Sequence, residues 1–156
     1  MAKQPRLSTG LSGVAGEYFV AAELSRRGYI ASIALRNTRG IDILASNEDA
    51  TRSVGIQVKT SQGSAKSWLL NEKVERPVRG ALAKNLCFVF VSLNEVGPPS
   101  YYVVSRQQVR KYCRAHHRTW LKTPGRRGQA HRDTPMRVFK DPKGRYLDKW
   151  ESLGLG

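Results

Sequence analysis

Apolar residues recur at spacings of three and four between Thr9 and Arg27: Leu11, Val14, Tyr18, Ala21, Ala22 and Leu24. That period predicts an amphipathic helix. Gly28 follows the basic pair Arg26-Arg27, a common helix stop, so the helix ends near Arg27. The period then changes. Tyr29 to Leu35 reads as a strand, Arg36 to Gly40 as a turn, and Ile41 to Ala45 as a second short strand. Ser46 to Ala50 is a polar, hairpin-like turn. From Arg52 to Thr60, Val54, Ile56 and Val58 alternate against Gln57 and Lys59, which predicts a third strand. Trp68-Leu69-Leu70 reads as a fourth, and residues 71–85, with Pro77 and Gly80, as a loop holding a helical turn.

Leu86 to Leu93 is almost unbroken in apolar character, as expected of a central strand covered on both faces. Gly97-Pro98-Pro99 forces a turn, and Tyr101 to Val104 makes a further strand. Ser105 can cap a helix reaching about His117, with Val109, Tyr112 and Cys113 on one face. Residues 119–156 hold several glycines and prolines with scattered aromatics. They are expected to be mostly loops, with a short closing helix near Tyr146 to Leu153. The order of helix, three strands, loop, two or three more strands and helix, without internal repeat, points to an α/β fold. The 156 residues suit one domain, with a core over about 9–118 and a basic extension over 119–156.

Charge narrows the function. Lys and Arg number 27 against 12 Asp and Glu, for a formal net charge of +15. Each cation placed on a phosphate releases a condensed counterion, so such a chain binds nucleic acid readily. Solubility alone rarely requires so one-sided an excess. The surplus is uneven: residues 105–156 carry 14 basic and 4 acidic residues, whereas residues 1–104 carry 13 and 8. No run of about 18 apolar residues could span a bilayer, and no apolar segment of a secretory signal follows Met1-Ala2-Lys3. Cys87 and Cys113 form no CxxC pair and read as reduced thiols, which suggests a cytoplasmic protein. His116, His117 and His131 make no zinc-ligand spacing with them. Trp68, Trp120 and Trp150 could stack on bases, but core packing is the favoured reading of each.

Three polar positions stand where a core pattern does not require them. Asp42 lies between Ile41 and Ile43, and Gln57 and Lys59 share one face of the next strand. A hairpin of these two strands would bring all three to one end of the sheet, with Glu17 of the first helix approaching from above. Such a cluster suits Mg²⁺, which prefers hard oxygen ligands and keeps several waters. Asp42 supplies a carboxylate, Gln57 an amide oxygen and Val58 a nearby carbonyl. Lys59 could orient an attacking water or offset charge in the transition state.

Gly16-Glu17 on a first helix, Gly40-Ile41-Asp42-Ile43-Leu44, and Ile56-Gln57-Val58-Lys59-Thr60 together resemble the PD-(D/E)XK nuclease superfamily. The likeness is to its archaeal Holliday-junction resolvase branch and, through the Gln-x-Lys form, to Mrr-type restriction endonucleases. Ile41 stands in place of the eponymous Pro, and Gln57 in place of the second acid. The resemblance covers residues 9 to about 60. It implies a restriction-endonuclease-like core, a central mixed sheet flanked by helices. It also implies a Mg²⁺- or Mn²⁺-dependent endonuclease hydrolysing phosphodiesters in DNA, and a homodimer, since a four-way junction is two-fold symmetric. On the same resemblance Glu17, Asp42 and Gln57 hold metal and Lys59 is catalytic.

Other basic and polar residues fit phosphate contacts: Arg36 and Arg39 ahead of Asp42, Thr60 after Lys59, Arg106, Arg110 and Arg114 along one helix face, and Arg126 and Arg127 in a glycine-flanked loop. Each has a plainer reading as a solvated turn or helix face. Asp42 could be a surface residue beside a turn, Gln57 and Lys59 the wet face of an edge strand, and Glu17 an exposed helix position. Two rival functions therefore stand beside the nuclease. One is a nucleic-acid-binding module with little or no catalysis, since a neutral Gln57 weakens a site for a hard dication. The other is an interaction domain whose basic face meets an acidic protein.

Overall fold

A computed structural model describes residues 5–35, 40–80 and 84–156. Helix α1 spans Thr9–Arg26. Ser8 caps it by accepting from the Leu11 N–H at 3.2 Å, and Gly28, at φ +87°, turns the chain out of it. Its buried residues are Ser12, Gly16, Val20 and Leu24, one every four positions.

Three antiparallel strands follow: β1 (Ile30–Ile33), β2 (Ile43–Ser46) and β3 (Ser53–Ser61). Asn47 closes the second hairpin by accepting from the Arg52 N–H at 2.8 Å. Strand β4 (Ser67–Asn71) then leaves this sheet and leads into a single 3₁₀ turn, Glu72–Glu75. Strand β5 (Leu86–Ser92) returns parallel to β3, and β6 (Ser100–Ser105) completes the order β1-β2-β3-β5-β6. The central sheet is thus mixed, as expected. Helix α2 (Arg106–Lys122) starts in a capping box of Ser105 and Gln108.

Each face of the sheet has its own core. Val20 and Leu24 of α1 pack on Ile43, Ile56, Val58, Val89 and Val103. Trp68, Phe88, Phe90, Tyr102, Val109 and Phe139 fill the opposite face. Phe90 and Phe139 stack with centroids 4.4 Å apart, and the Trp68 indole donates to the Val91 carbonyl at 2.9 Å. Trp68 and Trp150 are core residues; Trp120 is half-buried in a stack with His117 and His131. Both cysteines are buried and unbridged.

The C-terminal segment departs from the expectation of mostly loops. It supplies strand β7 (Met136–Lys140), which pairs with β4, and a 3₁₀ turn, Trp150–Leu153. Trp150, Leu153 and Leu155 join the α1-side core. Strand β7 escapes a hydrophobicity reading because its buried residues are Arg137 and Phe139, so a charge occupies an inward position. Arg137 is compensated there by Glu75 and by the Thr134 carbonyl, 2.6 Å from its Nη1. Helix α2 also runs past His117, because the rings of His117, Trp120 and His131 stack in series and Asp133 lies 2.8 Å from His117 Nε2.

Gly16 sets how closely α1 approaches the sheet. A Cβ at this position would overlap the Thr60 hydroxyl on β3. Alanine would gain about 1 kcal/mol of helix propensity, but forcing a methyl into a packed contact costs about 1–3 kcal/mol. Gly16→Ala therefore lowers stability in chemical denaturation. In a Thr60→Ala background, where the obstructing atoms are gone, the same change becomes neutral or stabilising. An unchanged midpoint for Gly16→Ala alone would contradict the contact.

Candidate active-site cleft

The β2–β3 ladder ends in an exchange of partners. Ile43 is in register with Ile56, yet the Asp42 N–H also donates to the Ile56 carbonyl at 2.8 Å. Two residues of one strand thus meet one of the other, as in a β-bulge. The next β3 donor, the Val58 N–H, is taken by the Asp42 carboxylate: Oδ2 accepts from it at 2.7 Å. A side chain so replaces the backbone acceptor at the point where the ladder stops. Asp42 is half-buried and anchored to β3 through both main chain and side chain, unlike a surface residue beside a turn.

Gln57 and Lys59 flank Val58. They are in register with Phe88 and Phe90 and share their face of the sheet, the one covered by β4, β7 and α2. Both are half-buried, and β3 has neighbours on either side, so they are not the wet face of an edge strand. They line a cleft of about 760 Å³. Gly40 and Ile41 form one side of it, and the segment from Leu70 to Val78 forms the other. The Asp42 carboxylate is therefore bonded to the backbone of the residue between two cleft side chains. The N–H and C=O of one strand residue point the same way, so the Val58 carbonyl faces the Asp42 side too.

Glu17 is half-buried on α1, next to the Gly16–Thr60 contact. That helix covers the face carrying Ile56 and Val58, so Glu17 approaches β3 from the side opposite Gln57 and Lys59. Thr60 also faces α1. Its hydroxyl oxygen is sealed beneath Gly16 without a hydrogen-bond partner among the described residues, so in this position it does not reach an external phosphate.

The arginines of α2 are partly structural. Arg106 donates to the Val74 and Arg76 carbonyls at 3.1 and 3.2 Å, and Arg110 to the Glu75 carbonyl at 2.8 Å. Burial, and next Arg110, pull the Arg106 pKa below its ordinary value. Arg114 is half-buried one turn on. Arg126 and Arg127 are exposed in a turn closed by the Gly128 N–H on the Gly125 carbonyl at 2.8 Å. Arg36 and Arg39 lie outside the described residues.

Sequence reading missed two cleft residues, Lys73 and Arg76. They sit in what reads as a loop, and only the β4–β7 pairing folds that segment across from Lys59. The charged residues lining the cleft are then Lys59, Lys73, Arg76 and Arg106, with no acid among them. Cys87 also borders it, but its side chain packs in the α1-side core, where burial pushes its thiol up to about 11.

Among the described residues, no three His, Cys, Asp or Glu side chains group to hold a metal. The oxygen groups near the end of this ladder are one carboxylate (Asp42), one amide (Gln57) and one backbone carbonyl (Val58). That set fits a Mg²⁺ or Mn²⁺ ion that keeps several waters, and does not fit zinc.

No protein-family model matches the sequence, and no curated protein does. Among solved structures, the chain is similar to Hjc, a Holliday junction resolvase from Archaeoglobus fulgidus, with a TM-score of 0.48 and 16% identity over 83% of this chain and 84% of that one. It is also similar to the bacterial homing endonuclease I-Ssp6803I, with a TM-score of 0.47 and 15% identity over 96% and 88% of the two chains. Both resemble this chain in the course of the polypeptide.

Proposed function

We propose that the protein is a metal-dependent nuclease that hydrolyses phosphodiester bonds in DNA. The observation that supports this most is the Asp42 carboxylate on the N–H of Val58, the residue between Gln57 and Lys59, whose side chains line a cleft with only cations among its charged lining residues. Asp42, the Gln57 amide and the Val58 carbonyl would hold Mg²⁺ or Mn²⁺; Glu17, on the opposite side of β3, would join only through a bound water. Such an ion, when bound, would supply Lewis-acid polarisation of the phosphate and a lowered pKa for water.

The remaining steps belong to the chain. The cleft cations draw the phosphate in and neutralise its charge. The water oxygen forms a bond to phosphorus, the phosphorus–oxygen ester bond breaks, and a proton passes to the departing oxygen. Lys59 stabilises the charge that builds on the phosphoryl oxygens. Its half-burial beside Phe90 strengthens that interaction relative to bulk water. Asp42 holds its position because its own hydrogen bond completes the sheet.

A second reading, a nucleic-acid-binding module without turnover, is favoured by the same site's poverty in acids. Cleavage assays on plasmid and branched DNA with Mg²⁺ or Mn²⁺ separate the two. Wild type cuts, and Lys59→Ala lowers the rate by roughly 10²–10³-fold, the cost of removing one transition-state donor. Asp42→Asn is the sharper variant at the other position: its amide oxygen still accepts from Val58, so the fold stays, while the charge is lost. Alanine there would instead strand a donor at a cost of about 1–3 kcal/mol. Asp42→Asn abolishes cutting and leaves DNA binding in EDTA intact. Binding by all three proteins with no cutting by wild type would establish the module.

Gln57→Glu adds a second carboxylate to the donor set. It lowers the Mg²⁺ concentration for half-maximal cleavage, read from a metal titration. A higher requirement in this variant would remove Gln57 from the metal site.

A further inference from the structure

The wall of the cleft opposite Lys59 is a short segment held by an unusual number of arginines. Strand β4 ends in the 3₁₀ turn Glu72–Glu75, whose first residues are ordered by Asn71 accepting from the Lys73 N–H at 3.0 Å. Beyond it, the backbone carbonyls of Val74, Glu75 and Arg76 are covered by the guanidinium groups of Arg106 and Arg110. The acid of this segment that could repel an anion, Glu75, is drawn away by the buried Arg137 of β7. Glu72 is not among the residues lining the cleft.

Two cations on the segment remain uncommitted. The Lys73 and Arg76 side chains are exposed, line the cleft, and make no hydrogen bond or ion pair among the described residues. A solvated loop would leave its carbonyls to water and let its cations wander. Here the carbonyl dipoles, which would face an approaching anion with negative ends, are already masked by arginine. Two cations are left to face Lys59 and Gln57 from a fixed backbone. The backbone that carries them is thereby pre-organised, and its position across from Lys59 points to the kind of anion they would meet.

We infer that Lys73 and Arg76 bind the phosphate backbone of the DNA strand that lies in the cleft, at phosphates flanking the one beside Lys59. The inference rests on the nuclease reading for the location of the scissile phosphate, and it deepens that reading by naming the strand's second point of attachment. Arg106 and Arg110 are positioning residues in this arrangement: their donors go to the wall and not to the ligand. These contacts go to phosphate, so they are indifferent to base sequence.

The test is binding of a fluorescent duplex to the full chain in EDTA, where no cutting occurs, with affinity measured across a series of NaCl concentrations. Each phosphate contact contributes roughly 0.9 to the slope of log K against log salt. Lys73→Gln/Arg76→Gln keeps side-chain length and removes both charges. It reduces the slope by roughly 2 and weakens binding by about tenfold or more near physiological salt. Lys73→Arg/Arg76→Lys keeps the charges and retains the wild-type slope. Lys143→Ala/Arg145→Ala removes the same charge from exposed positions outside the cleft and leaves the slope unchanged.

An unchanged slope in a folded Lys73→Gln/Arg76→Gln protein overturns the inference. So does an equal loss in the Lys143/Arg145 pair, which would mean that only net charge matters. Circular dichroism checks the fold. If the Gln pair unfolds, the singles Lys73→Gln and Arg76→Gln each must lower the slope by roughly 1. The nuclease reading fails separately: it falls if wild type does not cut with Mg²⁺ or Mn²⁺, whatever the salt slopes show.

Discussion

The hydrogen bond from the Val58 N–H to the Asp42 carboxylate is the constraint around which the site is organised. Where a β-ladder ends, a strand next to the core still carries donors that must be satisfied. Most sheets meet that need with water or a loop carbonyl. Here a carboxylate meets it, so one interaction both finishes the sheet and fixes an acid against the residue between Gln57 and Lys59. The acid's place is thereby tied to the stability of the sheet: it cannot drift from Val58 without uncovering a donor of β3.

The rest of the fold supports this placement from two sides. On one, α1 approaches β3 closely because Gly16 has no side chain to hold it off Thr60. On the other, the aromatic core of Trp68, Phe88, Phe90 and Phe139 carries β4 and β7, which pair away from the main sheet. That second ribbon converts a bare sheet face into a cleft by standing the Glu72–Glu75 turn across from Lys59. Arg106 and Arg110 then spend donors on backbone carbonyls. A strongly basic chain thus uses part of its charge as internal struts, and its net charge overstates the number of cations available to a polyanion.

The site was legible in the sequence to the extent that it depends on neighbours along the chain. Alternation in β3 placed Gln57 and Lys59 on one face, and the polar turn before Arg52 announced the hairpin at whose end Asp42 bonds to the N–H of Val58. The first helix, its glycine stop and the capped start of α2 follow from local rules that the structure obeys. Long-range features were not legible. Strand β7 hides because Arg137 takes an inward position that only a partner from the distant Glu75 makes tolerable. Lys73 and Arg76 read as loop residues because nothing nearby in sequence shows that β4 pairs with a strand about seventy residues later. The regular spacing of Arg106, Arg110 and Arg114 suggested a phosphate-binding stripe, yet spacing does not reveal that carbonyls of another segment lie against the first two. Thr60 likewise follows the alternation, but onto the α1 face.

The account turns on whether the atoms around Asp42 hold a divalent ion. Anomalous diffraction from crystals soaked in Mn²⁺ reads this directly. One peak bonded to the Asp42 carboxylate, within reach of the Gln57 amide and the Val58 carbonyl, and lost in Asp42→Asn crystals, is the result expected. A soak that leaves this position empty while ions settle elsewhere, such as the acidic Glu48–Asp49 turn, would contradict it.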